Sequence, residues 1–378
     1  MFKNIPKHWN INPLSFPEIS TIIMGQSPSS NTYNDTQEGL PFFQGKADFG
    51  DFSPTPRVWC SKPLKISQKD DILLSVRAPV GAINYNTETC CIGRGLAAIR
   101  AGKKLLPKYI YYFFKYYEPI LKEEGSGAVF SAITKSFVEN IRIPVPPTLE
   151  EQQEIVDVLD AASEIIRLRT ACIESAQSLI PALFQEMFGD PLNNNKNLTK
   201  EKIGKIFTLT SGKFIPSKEL DTDGQYPVYG GNGINGYHNE FLFEDSKICI
   251  GRVGVKCGCV HKTKPNSWIT DNALYINNYL IPINETYLKE ALTQINLNQY
   301  AKRAAQPVIS QTTIYNQYIL LPQIEQQELF AEKVQEIEAY IKTQQAELEN
   351  AKTMFQSLLH HAFTGELTRH KFGGDANG

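Results

Sequence analysis

The chain has 378 residues, of which 42% are apolar and 21% charged, and its formal net charge is −2. This is the composition of an ordinary soluble protein with room for two or three domains. The start, MFKNIPKHWN, carries no apolar core of a leader, and no segment approaches the ~18 consecutive apolar residues of a membrane span, so neither a signal peptide nor a membrane contact is expected.

Residues 1–146 are punctuated by Gly, Pro, Asn and Ser, with short β-rich runs between them. Residues 71–77 (DILLSVR) and 96–100 (LAAIR) read as strands. A helix is predicted from Pro107 to about Leu121, with proline near its start and the run YIYYFFKYY inside it. Those rings could stack on bases, but a helix this apolar favours packing in a core. Residues 138–146 (VENIRIPVP) read as an extended exit into a long helix. The second half repeats the plan. Strand-like stretches surround 206–210 and 247–253, a helix is predicted over about 286–303, and 314–322 (IYNQYILLP) is the matching exit. Asn140 and Asn316 take equivalent places in the two exits.

Each exit leads into a stretch that occurs twice. Pro147 to Phe188 matches Pro322 to Phe363 at one ungapped offset of 175 residues, pairing Glu150 with Glu325, Gln152 with Gln327 and Phe188 with Phe363. Apolar residues alternate at steps of four and three, through Ile155, Leu159, Ala162, Ile166 and Ile173 in the first copy and Phe330, Val334, Ile337, Ile341 and Leu348 in the second. Both copies break the pattern at one place, with Arg169 and Gln344. A sustained four-three pattern is a coiled-coil seam, and about 40 helical residues span roughly 60 Å. Pro181 is expected to kink or break the first helix.

The expected domains are therefore residues 1–146, a long helix over 147–191, residues 192–321, a second long helix over 322–370 and a frayed tail over 371–378. Charge divides along the same lines: the two domain segments carry +5 and +4, and the two helical ones −7 and −4. A basic excess points to a polyanion partner, and acidic helices to solvated or protein-docking faces.

Motifs for catalysis are absent. Residues 231–236 (GNGING) satisfy GxGxxG, but YHNEF follows instead of an apolar helix, so no dinucleotide site is expected. There is no GxxxxGK[ST] loop and no Asp/Asn-Pro-Pro-aromatic tetrad. Seven cysteines are present, an odd number without a CxxC pair, so no metal or other cofactor is expected and a reducing cytoplasm is the default. Cys257 and Cys259 read as small residues of a strand, and His360 and His361 as cations near a helix C-terminus. What the chain offers instead is glycine-rich loops carrying amides and cations. Gln and Asn pair with adenine edges, Arg and Lys with guanine or phosphate, and glycine lets backbone approach closely. The candidate DNA-binding residues are Gln26, Ser27, Gln44, Lys46, Arg77 and Arg94 in the first domain, and Lys213, Tyr229, Asn232, Arg252, Lys256 and Asn272 in the second.

These loops resemble the specificity subunit of type I restriction–modification systems. The resemblance rests on residues 70–100 and 125–155 in the first half and on 226–254 and 306–327 in the second, above all on the IPVPPTLEEQQ exit, whose second copy reads LLPQIEQQ with a single proline. It implies an α+β chain in which two similar α/β target recognition domains are separated by two long antiparallel coiled-coil helices in a pseudo-twofold repeat. Each domain would read half of a split target in double-stranded DNA. Two DNA methyltransferase subunits would dock on the helical repeats, with Glu150, Gln152, Arg169, Phe188, Glu325, Gln327, Gln344 and Phe363 as docking or spacer residues, and restriction subunits would join them. The chain itself would be non-catalytic. A stand-alone nuclease or methyltransferase, an interaction scaffold and an orphan DNA-binding subunit are the competing readings. An antiparallel register would also bring Arg169 close to Gln344.

Overall fold

The computed structural model describes residues 5–126, 132–302 and 306–368. These fall into two compact units, one formed by the described residues up to Thr170 together with those from Glu347, the other by Ala171–Ala346.

The first unit contains β1 (Asn10–Pro13), β2 (Ser20–Met24), β3 (Tyr33–Asn34), β4 (Leu40–Phe43), β5 (Trp59–Cys60), β6 (Ile66–Ser67), β7 (Ile72–Ser75), β8 (Ile83–Tyr85), β9 (Cys90–Ile92), β10 (Leu96–Ala101), α1 (Pro107–Ser126), α2 (Lys135–Asn140) and β11 (Arg142–Val145). Its central sheet has the order β2-β10-β7-β8, and a second sheet the order β3-β5-β4-β9-β6. β7 is apolar without alternation because both of its faces are covered. Ile72 and Leu74 point to the α1 side, into a core with Tyr109, Ile110 and Phe113, whereas Leu73 points to the second sheet, into a core with Phe43, Cys90 and Ile92. The aromatic run of α1 is core, as its apolarity requires: Tyr109, Tyr112, Phe113 and Phe114 are all buried. The buried hydroxyls are satisfied, Tyr109 donating to the Pro144 carbonyl at 2.8 Å and Tyr112 to Asp160 at 2.6 Å.

The second unit contains β12 (Lys200–Lys202), β13 (Phe207–Ser211), β14 (Tyr226–Gly230), β15 (Gly233–His238), β16 (Ile248–Gly251), β17 (Val260–Lys262), β18 (Trp268–Ile269), β19 (Ala273–Tyr279), α4 (Glu285–Gln294), α5 (Gln311–Tyr315) and β20 (Tyr318–Leu320). Its central sheet runs β13-β19-β16-β17, strand for strand the pattern of the first unit, beside a second sheet β15-β14-β18. The division of faces also repeats, with Ile248, Ile250 and Leu274 towards α4 and Cys249 and Ala273 towards Tyr229 and Ile269.

Two long helices, α3 (Leu149–Phe188, 40 residues) and α6 (Ile324–Thr364, 41 residues), each contribute to both units. In the first unit the start of α3 (Ile155, Val156, Leu159) and the end of α6 (Leu359, Ala362, Phe363) enter the α1 core. In the second unit the start of α6 (Phe330, Val334) and the end of α3 (Phe184, Phe188) enter the α4 core. Within each unit the helices run in opposite directions. Glu151 meets Thr368 and Arg169 meets Glu347 in the first, and Phe184 and Phe188 meet Phe330 in the second.

Several expectations are corrected. α3 passes through Pro181 without interruption; proline removes one hydrogen bond, to Gln177, which is exposed and can be solvated. α1 runs to Ser126, beyond the predicted Leu121. α4 stops at Gln294, and Asn296 follows in the left-handed region at φ 47°, so only a single 3-10 turn continues to Tyr300. The two exits begin as helix ends. Thr134 and Ser310 cap α2 and α5 by accepting from the amides of Phe137 and Thr313, and Asn140 and Asn316 donate back to the carbonyls of Ser136 and Thr312 at 2.8 and 3.0 Å. Cys257 and Cys259 sit in the turn before β17, not in a strand. The tail over 371–378 lies outside the described residues.

Candidate nucleic-acid interface

At one end of the first unit's sheets, four glycine-flanked loops and the start of the exit are knitted together through backbone. Gln26 N–H donates to Ile92 O (3.0 Å), Gly93 N–H to Phe43 O (2.8 Å), Val76 N–H to Gly95 O (2.9 Å) and Ile133 N–H to Val76 O (2.8 Å). The approach is close enough to require glycine: a Cβ on Gly95 would lie 2.2 Å from the Gln44 carbonyl oxygen. The backbone being occupied, the side chains of Gln26, Gln44, Lys46, Arg77 and Arg94 are left exposed, and Ser27 is half-buried with its hydroxyl accepting from the Arg94 amide at 3.2 Å. Beside Gln44 and Lys46 opens a cavity of about 530 Å³. Its wall includes Tyr33 stacked on Phe42 at 4.7 Å and Arg57, which pairs with Asp48 at 2.5 Å. Tyr33, Asp48 and Arg57 were not among the candidates: Tyr33 and Arg57 lie outside the glycine-rich loops, and Asp48, inside the 42–50 loop, is neither an amide nor a cation.

The second unit makes the same knot. Lys213 N–H donates to Ile269 O (2.9 Å), Thr270 N–H to Tyr229 O (2.8 Å), Arg252 N–H to Asn272 O (2.9 Å) and Ile309 N–H to Arg252 O (2.9 Å). Bond for bond, Gln26 corresponds to Lys213, Phe43 to Tyr229, Val76 to Arg252, Gly95 to Asn272 and Ile133 to Ile309. Lys213, Asn232, Arg252, Lys256 and Asn272 are exposed, and the Lys213 ammonium lies over the Trp268 ring at 5.8 Å. Two apolar side chains stand out among these cations: Phe214 is 66% exposed and Val255 83%.

Tyr229 does not belong with the exposed residues. It is 5% exposed, packs with Cys249, Ile269 and Ala273, and its hydroxyl accepts from the Lys264 amide at 3.1 Å. Its counterpart Phe43 is fully buried. A flat ring beside a Gly-Gly turn reads as a contact in sequence, but here it is the floor that carries the loops. Of GNGING, Gly231 and Asn232 are the tight connection of the β14–β15 hairpin, and Gly233, at φ 95°, already begins β15. The arginine that is held on a buried carboxylate is the half-buried Arg100, on Asp71 through two bonds of 2.9 Å, and not any of the candidate loop arginines.

Four of the expected docking residues are interior. Gln152 is 1% exposed; its Oε1 accepts from Leu106 N–H and its Nε2 donates to Lys104 O, both at 2.9 Å. Gln327 is 2% exposed and repeats the device, accepting from Asn284 N–H at 3.0 Å and donating to Pro322 O at 2.9 Å. Each amide fastens the start of a long helix to the residue just before its domain's own helix. Phe363 packs on Tyr109 and Phe113, and Phe188 on Tyr287. Glu150 and Glu325 are exposed, and Arg169 and Gln344 half-buried. Arg169 and Gln344 fall on opposite sides of the division between the units, and the arginine pairs within its own unit with Glu347.

Two domains of one mixed α/β design, each ending in exposed amides and cations over a backbone knot, make a duplicated architecture. The family comparison agrees: the type I restriction modification DNA specificity domain matches residues 6–176 and again residues 195–351, and the chain belongs to that family. A Methanocaldococcus jannaschii protein bearing the name of the MjaX type I restriction enzyme specificity subunit is 46% identical over 166 residues, 44% of this chain and 39% of that protein. The chain thus spans well under two thirds of that relative's length. The EcoKI specificity subunit of Escherichia coli is 22% identical over 428 residues, covering 96% of this chain and 90% of the relative. The crystal structure of a type I restriction-modification system S subunit from M. genitalium shares the fold at 17% identity and a TM-score of 0.56, covering 96% of this chain and 97% of the other. No helix among the described residues is long and apolar enough to cross a membrane.

Proposed function

We propose that the chain is the non-catalytic, DNA-reading subunit of a type I restriction–modification complex, working in the cytoplasm without a cofactor. Residues 1–146 and 192–321 each read one half of a bipartite target in double-stranded DNA. The observation that carries this reading is the repeated knot: two domains independently spend their loop backbone on one another and leave Gln26, Arg77 and Arg94, or Lys213, Arg252 and Asn272, free at the same end of the same sheet. Phosphate contacts would give affinity and the amides and arginines base selection.

The helices of 147–191 and 322–370 act as an antiparallel coiled-coil spacer in a pseudo-twofold repeat, a role supported by the opposed contacts within each unit. Two methyltransferase subunits dock on them, and restriction subunits join through the complex. Of the residues first expected, Glu150 and Glu325 are exposed and serve this docking, together with the outward stripe of α3 formed by Val158, Ile165 and Leu168, which are 39%, 41% and 53% exposed.

Binding of the chain to duplex DNA, measured by fluorescence anisotropy across a salt series, should weaken steeply with salt. Replacing Arg77, Arg94, Arg252 or Lys256 by Ala should cost about 1–3 kcal/mol wherever the residue reads a base. Salt-independent binding, or four variants with unchanged affinity, would reject the reading.

A further inference from the structure

The two knots align a pair of residues that bear opposite charge. In the first unit, Leu96 N–H closes a turn on Gly93 O at 3.0 Å, with Arg94 and Gly95 between them; in the second, Ala273 N–H closes a turn on Thr270 O at 3.1 Å, with Asp271 and Asn272 between them. The flanking bonds match as well. The residue before each turn accepts from the amide of Gln26 or Lys213, the first turn residue donates to Phe43 or Tyr229, and the third accepts from Val76 or Arg252. Arg94 and Asp271 therefore occupy the same place on the same scaffold.

Asp271 is half-buried, and its side chain is not what holds the turn. Its backbone carbonyl accepts from the Ser211 hydroxyl at 3.5 Å, but among the described residues no hydrogen bond or ion pair involves its carboxylate. It lies in the loop cluster with exposed Lys213, Arg252 and Asn272, in a segment with a cationic excess. A bare carboxylate brought to a duplex is repelled by phosphate and can gain only from donors. In the major groove those donors are the exocyclic amines, N4 of cytosine and N6 of adenine.

We infer that Asp271 is a specificity-determining residue of the second domain that accepts from an exocyclic base amine, and that Arg94 is its counterpart in the first domain, donating to guanine O6 and N7. This rests on the DNA-reading function proposed above. The two half-sites then differ in polarity at equivalent positions, which is how one duplicated scaffold comes to read two unlike sequences.

The test uses the full chain with its methyltransferase partner. Methylated motifs are mapped for the wild type and for Asp271→Ala, Asp271→Asn and Arg94→Ala, and duplex affinity is measured in parallel for each chain. Asp271→Ala should lose about 5- to 150-fold of discrimination at one position of one half-site, a position that presents cytosine or adenine. Arg94→Ala should relax one guanine in the other half. Asp271→Asn keeps the shape of the turn residue and separates the two bases: an amide gains a second bond at adenine, to N7 as well as N6, whereas at cytosine it keeps only a weaker neutral acceptor for N4, so discrimination should hold or rise for adenine and fall for cytosine. An unchanged motif in Asp271→Ala, or tighter binding to every sequence alike, would overturn the assignment while leaving the DNA-reading function intact. A wild-type chain without salt-dependent duplex binding would remove both.

Discussion

Gln152 gives the sharpest test of how the long helices are held. Its side chain is 1% exposed and serves two backbone groups, Leu106 N–H and Lys104 O, each at 2.9 Å. Gln152→Leu has similar volume and removes both partners. Leu106 is half-buried and Lys104 exposed, so water meets part of the loss and the change should cost about 1–3 kcal/mol in all. For a unit of this size that corresponds to a fall in Tm of roughly 2–12 °C at about 2–4 °C per kcal/mol. Glu150→Ala, two residues away and exposed, should stay within about 0.5 kcal/mol. The loss should also be local. Amide hydrogen exchange should show the Leu106 N–H losing protection while Asn284, which bonds to Gln327 in the other unit, keeps its own. Unchanged protection at Leu106, with Tm within a degree of the wild type, would refute the view that this amide anchors the helix.

Cys90 and Cys249 are neutral thiols, because burial pushes each up to about 12. A folded pKa raised above the unfolded value near 9 means that the folded state binds the proton more tightly, so the associated stability is complete below pH 9 and is lost as pH rises from there towards 12. Denaturant midpoints should fall over that range, less steeply in Cys90→Ala, and an alkylating reagent at pH 8 should spare both thiols in the folded chain. Replacing Arg169 and Gln344 together by Leu should raise the thermal midpoint, since polar residues in a seam trade stability for register. The same double variant should broaden the spacer length tolerated in the DNA target, as scored by methylation of sites with altered spacing. A variant that is no more stable and keeps a single spacing would count against the seam.

The long helices were legible in the sequence because a four-three apolar pattern depends only on neighbours along one element, and its recurrence at one offset marked the duplication. Four strands of the central sheets, β7, β10, β13 and β16, were legible as apolar runs, whereas β2, β8, β17 and β19 were not. What the ends of the helices do was not. Phe188 and Phe363 stood at matched places, but their roles depend on which core they enter, and Phe363 closes the domain that begins the chain. Gln152 and Gln327 look like surface amides beside glutamates, since nothing local announces the two backbone groups that need them. The correspondence of Arg94 with Asp271 was hidden for a different reason. Loops between the knots differ in length, so Gln26 precedes Lys213 by a longer stretch than Arg94 precedes Asp271, and no single offset aligns both pairs. Only the hydrogen bonds of each unit, read separately, put them in register.

The swapped ends of the two long helices also set an order of birth. Ala171–Ala346 is a continuous stretch, whereas the other unit is built from two stretches that flank it. On the ribosome, the domain that emerges first has Tyr109, Phe113, Ile155 and Leu159 ready but lacks Leu359, Ala362 and Phe363. It must wait, with an apolar face open to water, until the second unit has been made and the end of α6 arrives. Domains of a growing chain ordinarily mature from the N-terminus onward; here the unit that starts first finishes last, and the interval is when a holdase would have most to cover.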